Sequence, residues 1–192
     1  MTGATRNILL VGVGGQGTIL ASKILSEALA AAGHDVKMAE IHGMSQRGGD
    51  VTTQIRYGAK VFSPIMGEGE ADVIVAFEKL EALRSVRYMK PGGMFIVNDY
   101  EVATMPIQMG AEEYPKNIPE TLSAAAEVRV VKAAVIAEGL GNVRAMNMVL
   151  LGALAKAIGF AEADFTELIR KSVKKGFADV NLRAFEAGMA SI

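Results

Sequence analysis

The chain contains no cysteine and only two histidines, His34 and His42, among its 192 residues. The first absence excludes disulfides, a thiol nucleophile and cysteine-ligated zinc or iron–sulfur clusters. The two histidines lie too far apart in sequence to share a helical turn and form no metal pair. Redox metal chemistry is therefore expected on another chain. An excess of one charge is also lacking: 20 Lys and Arg stand against 21 Asp and Glu. That balance gives no electrostatic reason to expect nucleic acid or an acidic membrane. No run reaches spanning length. The most apolar one, residues 146–158, carries Lys156 and reads as a core or interface helix. The opening MTGATRN is too short and polar for a signal peptide. The expectation is a soluble, cytoplasmic protein with one domain over residues 1–192, since 51% of the residues are hydrophobic and the length supports a sizeable core. Catalytic signatures are missing too. There is no G-x-S-x-G and no H-E-x-x-H, and the pairs Glu68/Glu70 and Glu112/Glu113 read as loop charges. No catalytic residue and no metal ligand is assigned to this chain.

What is present is an alternation of short apolar runs and helical periodicity. NILLVGV (7–13) ends in glycines and has the pattern of a strand buried on both faces. Over 14–33, Ile19, Leu20, Ile24, Leu25, Ala28 and Leu29 recur at helical spacing, and Gly33 stops the helix. HDVKMAEI (34–41) reads as a second strand. This strand–loop–helix–strand unit predicts a βαβ crossover with parallel strands. Residues 51–64 hold two β-branched or aromatic runs around Gly58-Ala59, which predicts a hairpin. Further strands are expected at 71–78, 93–99 and 127–133, with a helix over 79–89. Residues 100–120 carry Pro106, Pro115 and Pro119 and read as a surface excursion. From Ala134 the chain is helical. The segment 143–158 is apolar nearly all round and should be buried on more than one side. Asn142 is its expected cap, and Asn147 inside it needs a hydrogen-bond partner if buried. His34 reads as a solvated turn residue. The scattered methionines are core filling, with Met44, Met66, Met105 and Met109 in loops that can meet a partner. The predicted fold class is α/β: a mostly parallel Rossmann-like sheet flanked by helices, with an added hairpin and a helical C-terminus. Such sheets bind ligands at the carboxyl ends of their strands. That places 12–17, 40–49, 78–79 and 98–99 on one rim.

Two motifs on this rim carry chemistry. Gly12-Val13-Gly14-Gly15-Gln16-Gly17 fits G-x-G-x-x-G after a strand and before a helix. Its glycines permit a tight turn and close approach to a phosphate, and the helix N-terminus offers free N–H groups. Glu40 stands near where a ribose-binding acid would sit. The competing reading is a tight turn that binds nothing, and the motif alone leaves both open. The second motif is HGMSQRGG (42–49). Arg47 beside Gly48 and Gly49 suits a phosphate or carboxylate, and His42 brings an imidazole, the side-chain type that can change charge near neutrality. The alternative is a polar loop in which Arg47 pairs with Glu40 or Asp50, or an arginine at a protein interface. His42, Met44, Gln46, Arg47, Gly48, Gly49, Glu78 and Asn98 are the candidate interface or substrate-rim residues. Gly12, Gly14, Gly15, Gln16, Gly17 and Glu40 are the candidate cofactor-binding ones.

Taken together and in order, GVGGQGTILASKILSEAL, VKMAEIHGMSQRGGDV, FSPIMGEGEADVIVAFEKLEALR, PGGMFIVN, NMVLLGALAKAIG and VNLRAFEAG resemble the gamma-type domain of 2-oxoacid:ferredoxin oxidoreductases. The HGMSQRGG form is similar to the indolepyruvate branch of that family. The match spans nearly the whole chain and is weakest over 100–131. The resemblance implies a small subunit of an enzyme that oxidatively decarboxylates aryl 2-oxoacids with coenzyme A, giving an acyl-CoA, carbon dioxide and reduced ferredoxin. It implies that thiamine diphosphate and the iron–sulfur clusters sit on a large alpha subunit, with ferredoxin met through the complex. No cofactor is then held by this chain alone. An isolated homodimer is compatible with an otherwise uncovered partner surface. Under this reading the glycine motif becomes a structural turn, or an anion site for a coenzyme A phosphate. The rivals are less complete. A nicotinamide-dependent dehydrogenase should bring a substrate domain with an acid–base pair. A methyltransferase usually wants an acid just before the glycine loop, where Leu10-Val11 stand. An E1-like adenylating enzyme normally brings a cysteine. A non-enzymatic nucleotide-binding module remains as the alternative from a different class.

Overall fold

The computed structural model describes residues 4–42 and 49–192. In chain order it contains β1 (Arg6–Val13), α1 (Thr18–Ala31), β2 (Asp35–His42), β3 (Asp50–Gly58), β4 (Ala71–Ala76), α2 (Lys79–Arg84) and β5 (Met89–Asn98). The short helices α3 (Met105–Gln108) and α4 (Ile118–Ser123) follow, then β6 (Glu127–Val131), α5 (Ala133–Gly139), α6 (Met146–Ala157), α7 (Ala163–Ser172) and α8 (Ala178–Met189).

The strands form one sheet in the order β2-β3-β1-β4-β5-β6. Strands β1, β4, β5 and β6 are mutually parallel, while β3 runs antiparallel to both of its neighbours. Strands β1 and β2 therefore point the same way, as the crossover reading requires, but they are not adjacent. The expected hairpin over 51–64 is corrected. The antiparallel pair is β2 with β3, in register from Asp35↔Gly58 to His42↔Val51. The reason is backbone pairing: inserted between β2 and β1, β3 bonds along both edges, whereas a local hairpin would have served only one. After Gly58 the chain leaves the sheet. Phe62 is 85% exposed, and Arg56 clamps the departing segment by donating to the carbonyls of Ser63 and Ile65.

The sheet is buried on both faces, which explains why β1, β4 and β5 read as unbroken apolar runs. Alternate residues go to opposite cores. Ile8, Leu10, Val73, Val75 and Ile96 join α1 and the C-terminal helices on one side. Leu9, Val11, Ile74, Ala76, Phe95 and Val97 join Ala82 of α2 and Leu122 of α4 on the other. Helix α6 is buried from Asn147 through Ala155, as its all-round apolarity predicts. It meets α8 backbone to backbone: a Cβ on Gly152 would collide with the Phe185 carbonyl, and one on Gly188 with that of Val149. Met66 stands in a loop as expected but fills the second core at 3% exposure, so it is not open to a partner. Met105 and Met109 are exposed. His34 is not merely solvated, since its ring packs edge-on against Tyr57 at 5.2 Å between centroids. Among the described residues, no helix is long and apolar enough to cross a membrane.

Candidate functional site at the carboxyl rim of the sheet

The connection from β1 to α1 is packed around the side chain of Gln16. Its Oε1 accepts from the Val13 N–H at 2.7 Å, and its Nε2 donates to the Phe77 carbonyl at 3.1 Å. Gln16 is 8% exposed, so the carboxamide closes the turn from inside. Gly12 is required by contact, because a Cβ there would meet Gln16 Oε1 at 2.7 Å and Phe77 Cβ at 2.9 Å. Gly17 is required by conformation and contact together. Its φ is +80°, and a Cβ would lie 2.5 Å from Asn147 Nδ2. At Gly15, with φ +101°, a Cβ would meet open space. The Gly14 N–H donates to the Gly49 carbonyl at 2.8 Å. The two glycine-bearing motifs therefore touch, as their shared place on the rim implies.

Asn98 lies at the end of β5 with 0% exposure. Its Nδ2 donates to the same Phe77 carbonyl at 3.1 Å, and its Oδ1 accepts from Ala133 N–H at 3.1 Å. It brackets three elements from within. Glu78 is 1% exposed and caps α2, accepting from Glu81 N–H at 3.0 Å. Its other oxygen accepts from Val102 N–H and from the Tyr114 hydroxyl. Burial first, and then this carboxylate, push the Tyr114 hydroxyl far above its ordinary range. Both predicted rim residues are thus internal fasteners of the rim.

Glu40 sits at the end of β2, opposite Thr53. Among the described residues its Oε1 and the Thr53 Oγ1 are buried with no hydrogen-bond partner. Because β3 intervenes, Glu40 lies two strand spacings, about 10 Å, from β1. An acid on the strand next to β1 would be at half that distance. Met44, Gln46, Arg47 and Gly48, like the side chain of His42, lie outside the described residues.

Sequence reasoning missed a groove beside this rim, about 330 Å³ in volume and lined by Asp50, Glu78, Glu81 and Arg84. It adjoins a second hollow of about 440 Å³ that shares Asp50, Glu81 and Arg84 and adds Arg87. Burial raises the Glu81 carboxyl above its ordinary value. Arg84, 2.7 Å away, opposes that shift, and the charges of Glu78 and Asp50 add to it. Arg84 lines both hollows and Arg87 the second, and each guanidinium already has a carboxylate partner, Glu81 for Arg84 at 2.7 Å and Glu68 for Arg87 at 3.5 Å. The only sequence signal was the i, i+3 spacing of Glu81 and Arg84, an ordinary helix-surface pattern. Asn147 was the legible one: it is buried, as a carboxamide that needs a partner, and its Nδ2 donates to the Gly17 carbonyl at 3.3 Å. A cysteine-ligated cluster does not fit this chain, which has no cysteine. Among the described residues no three His, Cys, Asp or Glu side chains are grouped to hold a metal.

The family model for pyruvate ferredoxin/flavodoxin oxidoreductase matches residues 7–191. The chain is 40% identical over 190 residues to the indolepyruvate oxidoreductase subunit IorB of Thermococcus kodakarensis, covering 95% of this chain and 94% of that one. It is 39% identical over 196 residues to the IorB subunit of Pyrococcus horikoshii, with 95% and 94% covered. Among solved structures, the pyruvate oxidoreductase subunit PORC of Thermotoga maritima shares the fold with a TM-score of 0.73. It is 22% identical, with 98% of this chain and 97% of that one covered.

Proposed function

The chain belongs to the pyruvate ferredoxin/flavodoxin oxidoreductase family, and from that premise we propose that it is the small subunit of an indolepyruvate:ferredoxin oxidoreductase. The single observation that carries this reading is the 40% identity to an IorB subunit along 95% of the chain. In this reading the complex converts aryl 2-oxoacids and coenzyme A to acyl-CoA and carbon dioxide and passes the electrons to ferredoxin. Thiamine diphosphate and the iron–sulfur clusters belong to a larger partner subunit. The absence of cysteine here supports that division. The chain's own part is to complete the rim where the subunits meet.

The test is anaerobic affinity isolation of the chain from its native host, with mass spectrometry and with iron and thiamine assays on the eluate. A cysteine-rich partner, bound thiamine and coenzyme A-dependent reduction of ferredoxin by indolepyruvate are expected. A chain that elutes alone, without iron or thiamine, contradicts the reading.

The Gln16-filled turn supports a structural role for most of the glycine motif. The coenzyme A anion is assigned instead to Arg47, which stands two residues before Gly49 in the sequence. Replacing Arg47 with Ala should raise the apparent KM for coenzyme A about tenfold, equivalent to ~1.4 kcal/mol, with assembly and kcat retained. Steady-state kinetics on the assembled complex read this directly, and an unchanged KM sinks the assignment.

A further inference from the structure

Strand β6 is the last in the sheet, and among the described residues no strand pairs with its outer edge. One bond tells which of its backbone groups face outward. The Val131 carbonyl accepts at 2.8 Å from the N–H of Asp99, the residue after β5. Backbone groups alternate along a strand, so Glu127 and Arg129 also turn theirs to β5, and Val128 and Val130 turn theirs outward. Natural edges are guarded by a proline, a bulge, a lysine or a covering element. The strand EVRVV has neither proline nor lysine. Its register with β5 is unbroken from Met94↔Glu127 to Asn98↔Val131, so no bulge turns it aside. Val130 is 43% exposed, apolar surface that a neighbouring strand would cover.

The charge pattern identifies the strand that fits. Glu127 and Arg129 share one face and pair at 2.7 Å, with both side chains open to solvent. Through the outward groups of Val128 and Val130, a second copy of β6 can pair antiparallel in three registers. Centred on Arg129, the pairing sets Arg129 directly opposite its own copy, which like charge disfavours. Centred on Val130, it leaves Glu127 beyond the end of the other strand. Centred on Val128, it lets the two Val128 residues exchange both backbone bonds. Each Glu127 then stands opposite the other copy's Arg129, about 4.5 Å away between Cα atoms. The four side chains close a ring of alternating charge. On the opposite face Val130 meets Ala126 of the other copy, where Ala126 and Val128 already border the second core. A two-fold contact needs a patch that complements itself, and Glu-Val-Arg does so in this register. The geometry points to a homodimer interface in which two β6 edges pair antiparallel about Val128 and join two sheets into one. This surface does not use the rim groove and does not depend on the oxidoreductase reading.

Sedimentation velocity on the full chain over a concentration series tests the proposal. A reversible monomer–dimer equilibrium is expected. E127R alone and R129E alone each set like charges opposite one another and should weaken dimerisation about tenfold or more. The double reversal E127R/R129E should restore it, because the reversed ring still alternates. An equimolar mixture of the E127R and R129E chains should form mixed dimers more tightly than either chain forms with itself. V128P should abolish dimerisation and leave the circular dichroism melting profile in place, since the N–H it removes faces outward from an edge strand. A chain that stays monomeric at millimolar concentration overturns the interface. So does a dimer that neither the single reversals nor V128P weakens, because the two copies then meet elsewhere.

Discussion

Single side chains at the rim act mainly as fasteners, and that makes their removal measurable. Gly17 holds φ +80° with Asn147 Nδ2 2.5 Å from where a Cβ would stand. Gly17→Ala should therefore cost about 1–3 kcal/mol of stability from left-handed strain and overpacking. Gly15→Ala, strained but facing open space, should cost less. Urea denaturation of both variants checks the ordering, and equal losses would remove the role given to Asn147. Glu81 makes a prediction of different kind. Its carboxyl is raised above the ordinary value of 4.5, by burial first. A raised carboxyl favours the folded state while protonated, and that contribution is lost as pH rises through the folded value. Glu81→Gln should thus match the parent below pH 4.5 and gain in Tm above it, levelling off once the parent's carboxyl is fully ionised. A Tm difference independent of pH would mean that Arg84 neutralises the burial cost completely. Asn147 was readable beforehand because a carboxamide in an all-apolar helix needs a partner. Gln16 was not, because nothing in G-x-G-G-Q-G tells whether its side chain points outward or seals the turn.

At the scale of elements, the legible features were those written in local periodicity. The doubly buried strands β1, β4 and β5 and the buried helix α6 follow from unbroken apolar runs, and helix α1 from apolar residues at period 3.6. The pairing of β3 was not legible. Residues 51–64 look like a hairpin because β-branched residues flank Gly58-Ala59, yet the partner that wins lies in β2, on the other side of HGMSQRGG in the sequence. Periodicity identifies a strand and says nothing about which edge it joins. The α6–α8 crossing is another case of tertiary demand. Gly152 in the middle of a helix looks unfavourable, but it lets the two backbones touch. Gly152→Ala should cost about 3 kcal/mol or more, since the obstacle is the Phe185 carbonyl rather than a movable side chain. Chemical denaturation measures it, and a loss below about 1 kcal/mol, the scale of propensity alone, would mean that α8 slides freely over α6.

For the whole molecule, the sheet's order grades its stability. Interior strands β1 and β4 carry neighbours on both sides, while β2 and β6 close the two edges. Hydrogen exchange on the isolated chain should be slowest in β1 and β4 and faster along the outer edge of β2. Protection of β2 equal to that of β1 would reveal a second copy or another covering element on that edge. The order also sets a timetable for synthesis. When the ribosome has delivered the chain through His42, the residues of β1 and β2 have been made, but the strand that fills the slot between them in the finished sheet has not. The slot is filled only when β3 emerges, complete at Gly58. At ~5–20 residues per second that interval is on the order of one second. During it the edges that β1 and β2 give to β3 in the finished sheet have no partner from this chain.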